Sequence, residues 1–380
     1  MEIQITKQCL ATALSRTSNI ADRRSSMPVL SNVLIDAANS DSVRIAATDL
    51  NLSATGIFPA EVVEGGAHTV SAKTLYDVVR NMPDGIISIR TEGDQILITG
   101  GRTNFKLLSL PAEDFPVMPT AQGVDFFQMD ASLVSRMIEQ TSFSISNDET
   151  RPHINGALFQ GDGKNLRMVT TDGHRLSKVE FRIEESGFYN FSMVVPNKGI
   201  MEMRRLVEDG DGTVSIAVQD GSVFLKREIE IEKAREGEEA ITAEFVLVSK
   251  LIEAEFPPYD KVIPQGSDKV IVLSRSDFLD ALKRVSVVSS ERTLGVKFQL
   301  SEGNLEIVTN NPSVGEGTET IDVDYAAEEM TIGFNARYFI DIVSVLTDDE
   351  IRLELSGPLD PAVVRDMNNT FVGVVMPMRI

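Results

Sequence analysis

The stretch Met168–Ser177, MVTTDGHRLS, sets the reading of the whole chain, because its skeleton occurs three times. A short hydrophobic strand runs into a polar turn at Ile45–Asp49 (IAATD), at Met168–Asp172 (MVTTD) and at Ile307–Asn311 (IVTNN). Each turn is followed by a strand-like run, a polar start, an amphipathic segment and another strand. These are TVSAKTLYDVVRNMPDGIISI from Thr69, VVPNKGIMEMRRLVEDGDGTVSI from Val194 and TIGFNARYFIDIVSVLTDDEIRLEL from Thr331. Before each turn lies an earlier amphipathic segment, where Leu10, Ala13, Leu14 and Thr17 match Val134, Met137, Ile138 and Thr141, and Phe278, Ala281, Leu282 and Val285. The i, i+3, i+4, i+7 spacing predicts one buried helix face in each copy. Matching positions lie 124 and then 144 residues apart, so one repeat is about 125 residues long and the second copy carries an insertion.

Between the helical patterns the apolar runs are short and separated by turn residues, as in VLIDA, VRIAATD and LSATGIFPAEV, then IISIR, QILITG and FKLLSL. Such punctuation predicts antiparallel sheet. Each repeat therefore reads as two helices and roughly eight strands, an α+β fold in three tandem copies. Proline-rich connectors echo one another at Phe115–Pro119, from Phe256-Pro257-Pro258-Tyr259 to Val262-Ile263-Pro264, and in the terminal Val374–Ile380. Proline suits a chain leaving one sheet for the next, which sets the expected domains at 1–120, 121–258 and 259–380. The insertion falls around Glu228–Ala240 (EIEIEKAREGEEA), read as a solvated hairpin extension or loop.

The chain has 380 residues, enough for two or three cores. No apolar run approaches the ~18 residues needed to span a bilayer. The N-terminus MEIQITKQCLATALSR lacks a charged leader before an apolar core, so a cytoplasmic protein is expected. The single cysteine, Cys9, sits on the first helical pattern and is expected to act as a small buried hydrophobe. With three histidines and no ligand spacing, neither a metal nor another cofactor is expected.

A net charge of −21 argues at face value against nucleic acid. Its distribution reverses the argument. The predicted helices, 6–24, 73–82, 130–139, 197–207, 275–292 and 335–346, together carry +6, which leaves −27 on strands and loops. Helices turned toward one partner would meet it with a positive face. The cations are Lys7, Arg16, Arg23, Arg24, Lys73, Arg80, Lys198, Arg204, Arg205, Lys283 and Arg284. Contacts of this kind reach phosphates without reading sequence, and they permit sliding.

Catalytic constellations are missing. Asp172, His174 and Ser177 include the residue types of a nucleophilic triad, but residues so close along a strand and turn point in different directions. A polar turn is the simpler account of TTDGHRLS. Neither G-x-S-x-G nor H-E-x-x-H occurs, and Gly161-Asp162-Gly163-Lys164 reads as a hairpin turn, not a phosphate loop. A metal-dependent hydrolase using Asp172 and His174 is the weaker alternative to a non-catalytic scaffold.

The motifs RSSMPVLSNVLI, ATDLNLS, LPAEDFP, INGALF, VTTDGHRLS, VVPNKGIMEMRRL, SKLIEAEFPPY, IGFNARYFIDIV and VVMPMRI extend over nearly the whole length. In content and order the chain resembles the bacterial sliding clamps, the β subunits of DNA polymerase III. The resemblance implies three copies of the clamp fold and a head-to-tail homodimer closing into a six-domain ring. Helices would line its hole, with duplex DNA passing through. It implies as partners the polymerase catalytic subunit, a clamp-loader ATPase, and other polymerases and repair proteins bearing clamp-binding peptides, at the nucleoid. A clamp-like paralogue that only binds partners is the alternative within the family.

The resemblance places a peptide-binding groove on Ile154, Thr171, Gly173, His174, Arg175, Leu176, Pro257, Lys261 and Val262, with Asn335, Tyr338, Leu359, Pro361, Val374, Met376, Pro377, Met378 and Arg379 from the last repeat. Methionines suit a surface that accepts several partners. DNA contacts are implied at Arg24, Lys73, Arg80, His153, Lys198, Arg204, Arg205, Lys283 and Arg284, and the subunit contact at Phe105 and Leu107 against Val287 and Val288. Three departures stand out. Lys261 replaces an arginine, which removes a bidentate fork; Pro152 and His153 replace tyrosines; and Val287-Val288 is smaller than the expected Ile-Leu pair, which implies less buried apolar area at roughly 25 cal/mol per Å² and a weaker dimer.

Overall fold

A computed structural model describes residues 1–183, 190–232, 240–290 and 294–379. The first repeat runs β1 (Glu2–Thr6), α1 (Lys7–Thr17), β2 (Asn32–Ala37), β3 (Ser42–Thr48), β4 (Leu52–Pro59), β5 (Glu61–Glu64) and β6 (Gly66–Ser71). It closes with α2 (Ala72–Asn81), β7 (Ile86–Glu92), β8 (Gln95–Gly100) and β9 (Thr103–Pro111). The second holds β10 (Phe127–Asp130), α3 (Ala131–Thr141), β11 (Gly156–Asp162), β12 (Asn165–Thr171), β13 (Arg175–Arg182) and β14 (Asn190–Pro196). After these come α4 (Asn197–Val207), β15 (Thr213–Gln219), β16 (Ser222–Glu232) and β17 (Ile241–Lys250). The third holds β18 (Lys269–Ser274), α5 (Arg275–Ser286), β19 (Gly295–Ser301), β20 (Asn304–Asn311) and β21 (Gly315–Asp322). It ends with β22 (Met330–Asn335), α6 (Ala336–Ser344), β23 (Glu350–Leu355), β24 (Ala362–Arg365) and β25 (Phe371–Val375).

All strand pairs are antiparallel, and the same pairing scheme recurs in each repeat. Thr6, Asp130 and Ser274 stand opposite Ile86, Thr213 and Glu350, and Asn32, Gly156 and Gly295 stand opposite Ser71, Pro196 and Asn335. The threefold turn closes in one way throughout. Asp49 Oδ1 accepts the amides of Asn51 and Leu52, Asp172 Oδ1 those of His174 and Arg175, and Asn311 Oδ1 that of Ser313. These are side-chain turns of the kind that Asp and Asn favour. The Asp162–Lys164 turn joins β11 to β12 with Gly163 at φ +84°, a conformation glycine takes without cost.

The expected helix faces are buried. Leu10, Ala13, Leu14 and Thr17, then Val134, Met137, Ile138 and Thr141, then Phe278, Ala281, Leu282 and Val285 all lie in the interior, as does Cys9. Caps fix four of the helix starts: Thr6 Oγ1 accepts from Cys9 N, Ser71 Oγ from Thr74 N, Ser274 Oγ from Asp277 N and Asn335 Oδ1 from Arg337 N. The first helix is shorter than the expected 6–24. It ends at Thr17, where Ser18 N and Ile20 N donate to Leu14 O and Thr17 O, and the chain turns to bury Ile20 completely. Arg23 and Arg24 therefore stand in a loop.

Met1–Ala131 with Arg205–Leu251 form one compact unit, and Ser132–Arg204 with the chain from Ile252 onward form the other. The first contains a 13-stranded sheet in which β4 pairs with β17. The second contains an eight-stranded sheet in which β13 pairs with β25, and a four-stranded sheet β21-β20-β19-β22. In each unit a sheet thus runs from one repeat into the next. The acidic insertion is a hairpin extension as far as it is described, Glu228 to Glu232 on β16 facing Ile241 to Glu244 on β17; residues 233–239 lie outside the described residues.

Candidate peptide groove, basic positions and open strand edges

The β13–β25 pair carries a groove of about 250 Å³. Its floor follows from register: Leu176 stands opposite Val374, and Val374 opposite Val363. The connector Phe256–Ile263 roofs this sheet face, with Phe256 and Ile263 buried against Leu158, Val169 and Val372. Of the expected groove residues, Ile154, Thr171, Gly173, Arg175, Leu176, Pro257, Val262, Val374 and Met376 line one cavity. His174 is exposed at the turn, and its carbonyl accepts Met376 N at 2.9 Å. Asn335, Tyr338, Leu359, Pro361, Pro377, Met378, Arg379 and Lys261 lie outside that cavity. Asn335 caps α6, Met378 N donates to Gly333 O, and Lys261 and Leu359 are exposed.

Arg175 has a different setting from the rest. Its Nε donates to Asp172 Oδ2 at 3.0 Å, Nη1 to Asp341 Oδ2 at 2.7 Å and Nη2 to Phe143 O at 2.5 Å, and its guanidinium lies 4.7 Å over the Tyr338 ring. Burial pushes the Tyr338 hydroxyl up, the nearby Asp172 carboxylate adds to this, and Arg175 opposes it. The arginine is a seam between the second and third repeats, touching the groove with one edge.

Three lining residues fall outside the expected groove set: Arg151, Tyr259 and His153. Arg151 donates to Asp148 Oδ2 and to Asp172 O, and its Nη1 is 3.1 Å from where a Cβ on Gly173 would sit. Tyr259 donates to Gln160 Oε1 at 3.4 Å, and Lys178 Nζ stands 5.7 Å over its ring. Burial raises the Tyr259 pKa, with Asp260 adding to the effect. Tyr259 was legible in the FPPY connector beside Pro257. His153, expected on the DNA side, is half-buried in the groove lining.

The other basic positions are exposed: Arg24 in the loop, Lys73 and Arg80 on α2, Lys198, Arg204 and Arg205 on α4, Lys283 and Arg284 on α5. Two are engaged. Arg284 makes a two-point pair with Glu319, Nε to Oε2 at 3.0 Å and Nη2 to Oε1 at 2.5 Å, and Arg204 lies 3.8 Å from Glu139. Arg80 lies 5.9 Å from the Tyr76 ring centre.

Among the described residues, the open strand edges that bear on the expected subunit contact are those of β9 and β21. β9 pairs with β8 along Thr103–Leu108 and is unpaired on its other side there. β21 pairs with β20 alone. Phe105 is 37% exposed, Leu107 half-buried and Val287 79% exposed. Leu108 and Val314, which sequence reasoning passed over, are 73% and 63% exposed. No group of three or more potential metal ligands occurs among the described residues.

Models of the DNA polymerase III beta subunit match residues 1–119 with its N-terminal domain, 128–258 with its central domain and 260–379 with its C-terminal domain. The chain belongs to the DNA polymerase III beta subunit family. It is 34% identical to the beta sliding clamp of Pseudomonas putida and 31% identical to that of Escherichia coli K12, each alignment covering all of both chains. The crystal structure of the Pseudomonas aeruginosa clamp bound to griselimycin matches at a TM-score of 0.89 with 34% identity over all of both chains. A Caulobacter crescentus clamp, with polyethylene glycol in its putative beta-motif tethering region, matches at 0.89 with 33% identity over all of this chain and 99% of that one. The protein is thus a three-domain sliding clamp of DNA polymerase III, a non-catalytic processivity factor whose partners are DNA and the polymerase.

Proposed function

We propose that two copies of this clamp close head to tail around duplex DNA, and that the β13–β25 groove captures peptides of the polymerase and of other partners. The observation that carries the ring is the repeated strand junction. Ala54 on β4 faces Leu247 on β17, and Ser177 on β13 faces Gly373 on β25. By the common pairing scheme Gly317 on β21 takes the place of Ala54 and Ser177, and Phe105 on β9 the place of Leu247 and Gly373. A third junction, β21 with β9, is then due, and a second copy supplies it.

That register sets Phe105 opposite Gly317, Lys106 opposite Glu316, Leu107 opposite Gly315 and Leu108 opposite Val314. It brings together residues that are exposed in one copy. A Cβ on Gly317 would lie 2.7 Å from Val288 Cγ2, so Val288 packs directly over the glycine, and a Phe105 ring set opposite Gly317 would meet Val288 and its neighbour Val287. Leu108 covers Val314, and the Lys106 and Glu316 charges are complementary.

The groove reading rests on an apolar floor, Leu176 and Val374, and an adaptable Met376 at its rim. Its lining includes Arg151, His153 and Arg175 and no carboxylate, which favours an apolar peptide with an acidic or neutral flank. In the closed ring the helices, with their net positive charge, would face the phosphates, and Arg24, Lys73, Arg80, Lys198, Arg204, Arg205, Lys283 and Arg284 are their contacts. A separate clamp-loader ATPase opens the ring, other polymerases and repair proteins share the groove, and the site of action is the cytoplasmic nucleoid.

The deciding experiment is retention on DNA. After loading, the clamp should stay on a circular plasmid and leave it once the plasmid is cut; equal retention on both forms would sink the ring. Solution mass supports it at about 83 kDa, twice the 41.7 kDa chain, and opposes it at the monomer value at micromolar protein.

A further inference from the structure

In the first repeat the strand that leads into the first helix is flanked on both sides. β7 pairs one edge of β1, and the short β5 pairs the other, with Glu2 opposite Glu64, Ile3 opposite Val62 and Gln4 opposite Glu61. The third repeat has the same strand in β18: Ser274, like Thr6, caps the following helix, and β23 stands where β7 does. Its outer edge has no strand on it among the described residues.

The side chains at that edge have changed character. Where β1 has Glu2 and Gln4, β18 has Val270 and Val272, 49% and 45% exposed. Proteins shield open edges by brevity, charge, proline or cover. The counterpart in the second repeat, β10, is four residues long, and β1 is covered by β5. β18 has six residues. Its one lysine gives little protection, since Lys269 Nζ is held by Asp268 Oδ2 and Ser356 O, both at 2.9 Å.

We propose that β18 is a docking strand for an extended segment of the polymerase, laid antiparallel as β5 lies on β1, with alternate apolar side chains on Val270 and Val272. Strand addition of this kind takes its affinity from main-chain hydrogen bonds and its specificity from alternate side chains. The proposal rests on the groove reading for its partner. Leu176, Val374, Val363, Glu354 and Val270 form one cross-strand row from β13 to β18, so the edge lies on the groove's sheet face, about 19 Å from Leu176 at the ~4.8 Å strand spacing. The connector covers Val363 between the two places. A polymerase held by its groove peptide would present a neighbouring segment to β18 at millimolar effective concentration.

The test uses the full-length clamp, a synthetic groove peptide from the polymerase and the intact polymerase catalytic subunit. Amide exchange in 269–274 should slow with the intact subunit and stay unchanged with the peptide. The V270D/V272D double variant should bind the peptide as the native clamp does and the intact subunit about tenfold more weakly. Unchanged exchange with the intact subunit, or unchanged affinity of the variant for it, overturns the proposal. So does a loss of self-association in the variant, which would make a second copy the occupant. A peptide that fails to bind the native clamp would sink the groove reading alone, because the exchange measurement with the intact subunit does not use the peptide.

Discussion

Arg175 Nη1 donates to Asp341 Oδ2 at 2.7 Å and ties the threefold turn of the second repeat to α6 of the third. The arginine also holds Asp172 and the Phe143 carbonyl, so its removal takes one hydrogen bond from each of three acceptors in a site where its side chain is 11% exposed, with Asp341 left to Arg337 alone at 2.8 Å. Breaking a largely buried, hydrogen-bonded pair in this way costs about 3 kcal/mol. R175A should therefore lower the denaturant midpoint of the clamp strongly, and R175K should rescue little of it, because an ammonium cannot reproduce the fork. D341N should cost less, since Arg175 keeps Asp172. Equal midpoints for R175A and the native clamp would show that the seam adds nothing to stability.

The subunit register leads to a covalent test. With Leu108 opposite Val314, the L108C/V314C variant should form an intersubunit disulfide under mild oxidation and remain on plasmid DNA through denaturation. L108C paired with T318C places the sulfurs four residues out of register, farther than a disulfide can reach. Crosslinking of the second pair and not the first would show that the repeated junction does not extend to the ring seam.

Much of this molecule was legible because its chemistry is repeated. The i, i+3, i+4, i+7 faces of α1, α3 and α5 appear three times in the sequence, and hydrophobic burial requires them to be interior. The Asp49, Asp172 and Asn311 turns were equally visible, since their geometry is local. What the sequence could not give was register. Leu108 reads as an ordinary strand leucine until β9 is placed at an edge, and Val270 and Val272 read the same way until β18 is found unpaired. Nor does Arg175 declare that it faces Asp341, which lies 166 residues away. These facts depend on which strand is last in a sheet, and that depends on long-range pairing.

The connector over the groove is held partly by charge. Tyr259 rests on Gln160 and Lys178, and Lys178 in turn pairs with Glu180 at 3.0 Å, which also takes Arg167 at 2.7 Å. Burial alone would raise the Glu180 pKa, but the hydrogen bonds from Arg167 and Lys178 outweigh it and leave the carboxyl below its usual value. A carboxyl depressed in the folded state adds stability above its unfolded pKa and loses it as pH falls through the folded value. The clamp should thus lose stability, and groove affinity with it, below about pH 4.3. E180Q should flatten that acid limb while leaving stability at pH 7 lower than native. An acid limb that E180Q leaves unchanged would assign it to other carboxylates.

The truncation that removes Met376 onward takes away the groove rim, the Met376 N to His174 O and Met378 N to Gly333 O bonds, and Arg379; Ile380 lies outside the described residues. The strand pair β13–β25 ends at Val375, so the sheet should survive. Polymerase stimulation should be abolished and the dimer retained, read by processive synthesis on primed circles and by solution mass. A truncated clamp that falls to monomer would show that the tail serves assembly and not the groove.

On α5 the two adjacent cations are unequal. Lys283 is exposed with no ion pair among the described residues, whereas Arg284 is held at two points by Glu319, whose carboxyl is kept below its usual pKa by that hydrogen bond. A cation that neutralises a phosphate contributes about 0.9 to the slope of log affinity against log salt. K283A should therefore reduce that slope for duplex DNA by nearly the full amount, and R284A by much less, because Glu319 already takes its charge. E319Q should release the arginine and steepen the slope toward one further contact. Fluorescence anisotropy across a salt series decides the matter: equal slopes for K283A and R284A would mean that DNA competes Arg284 away from Glu319, and that the pair is a resting state of a phosphate contact.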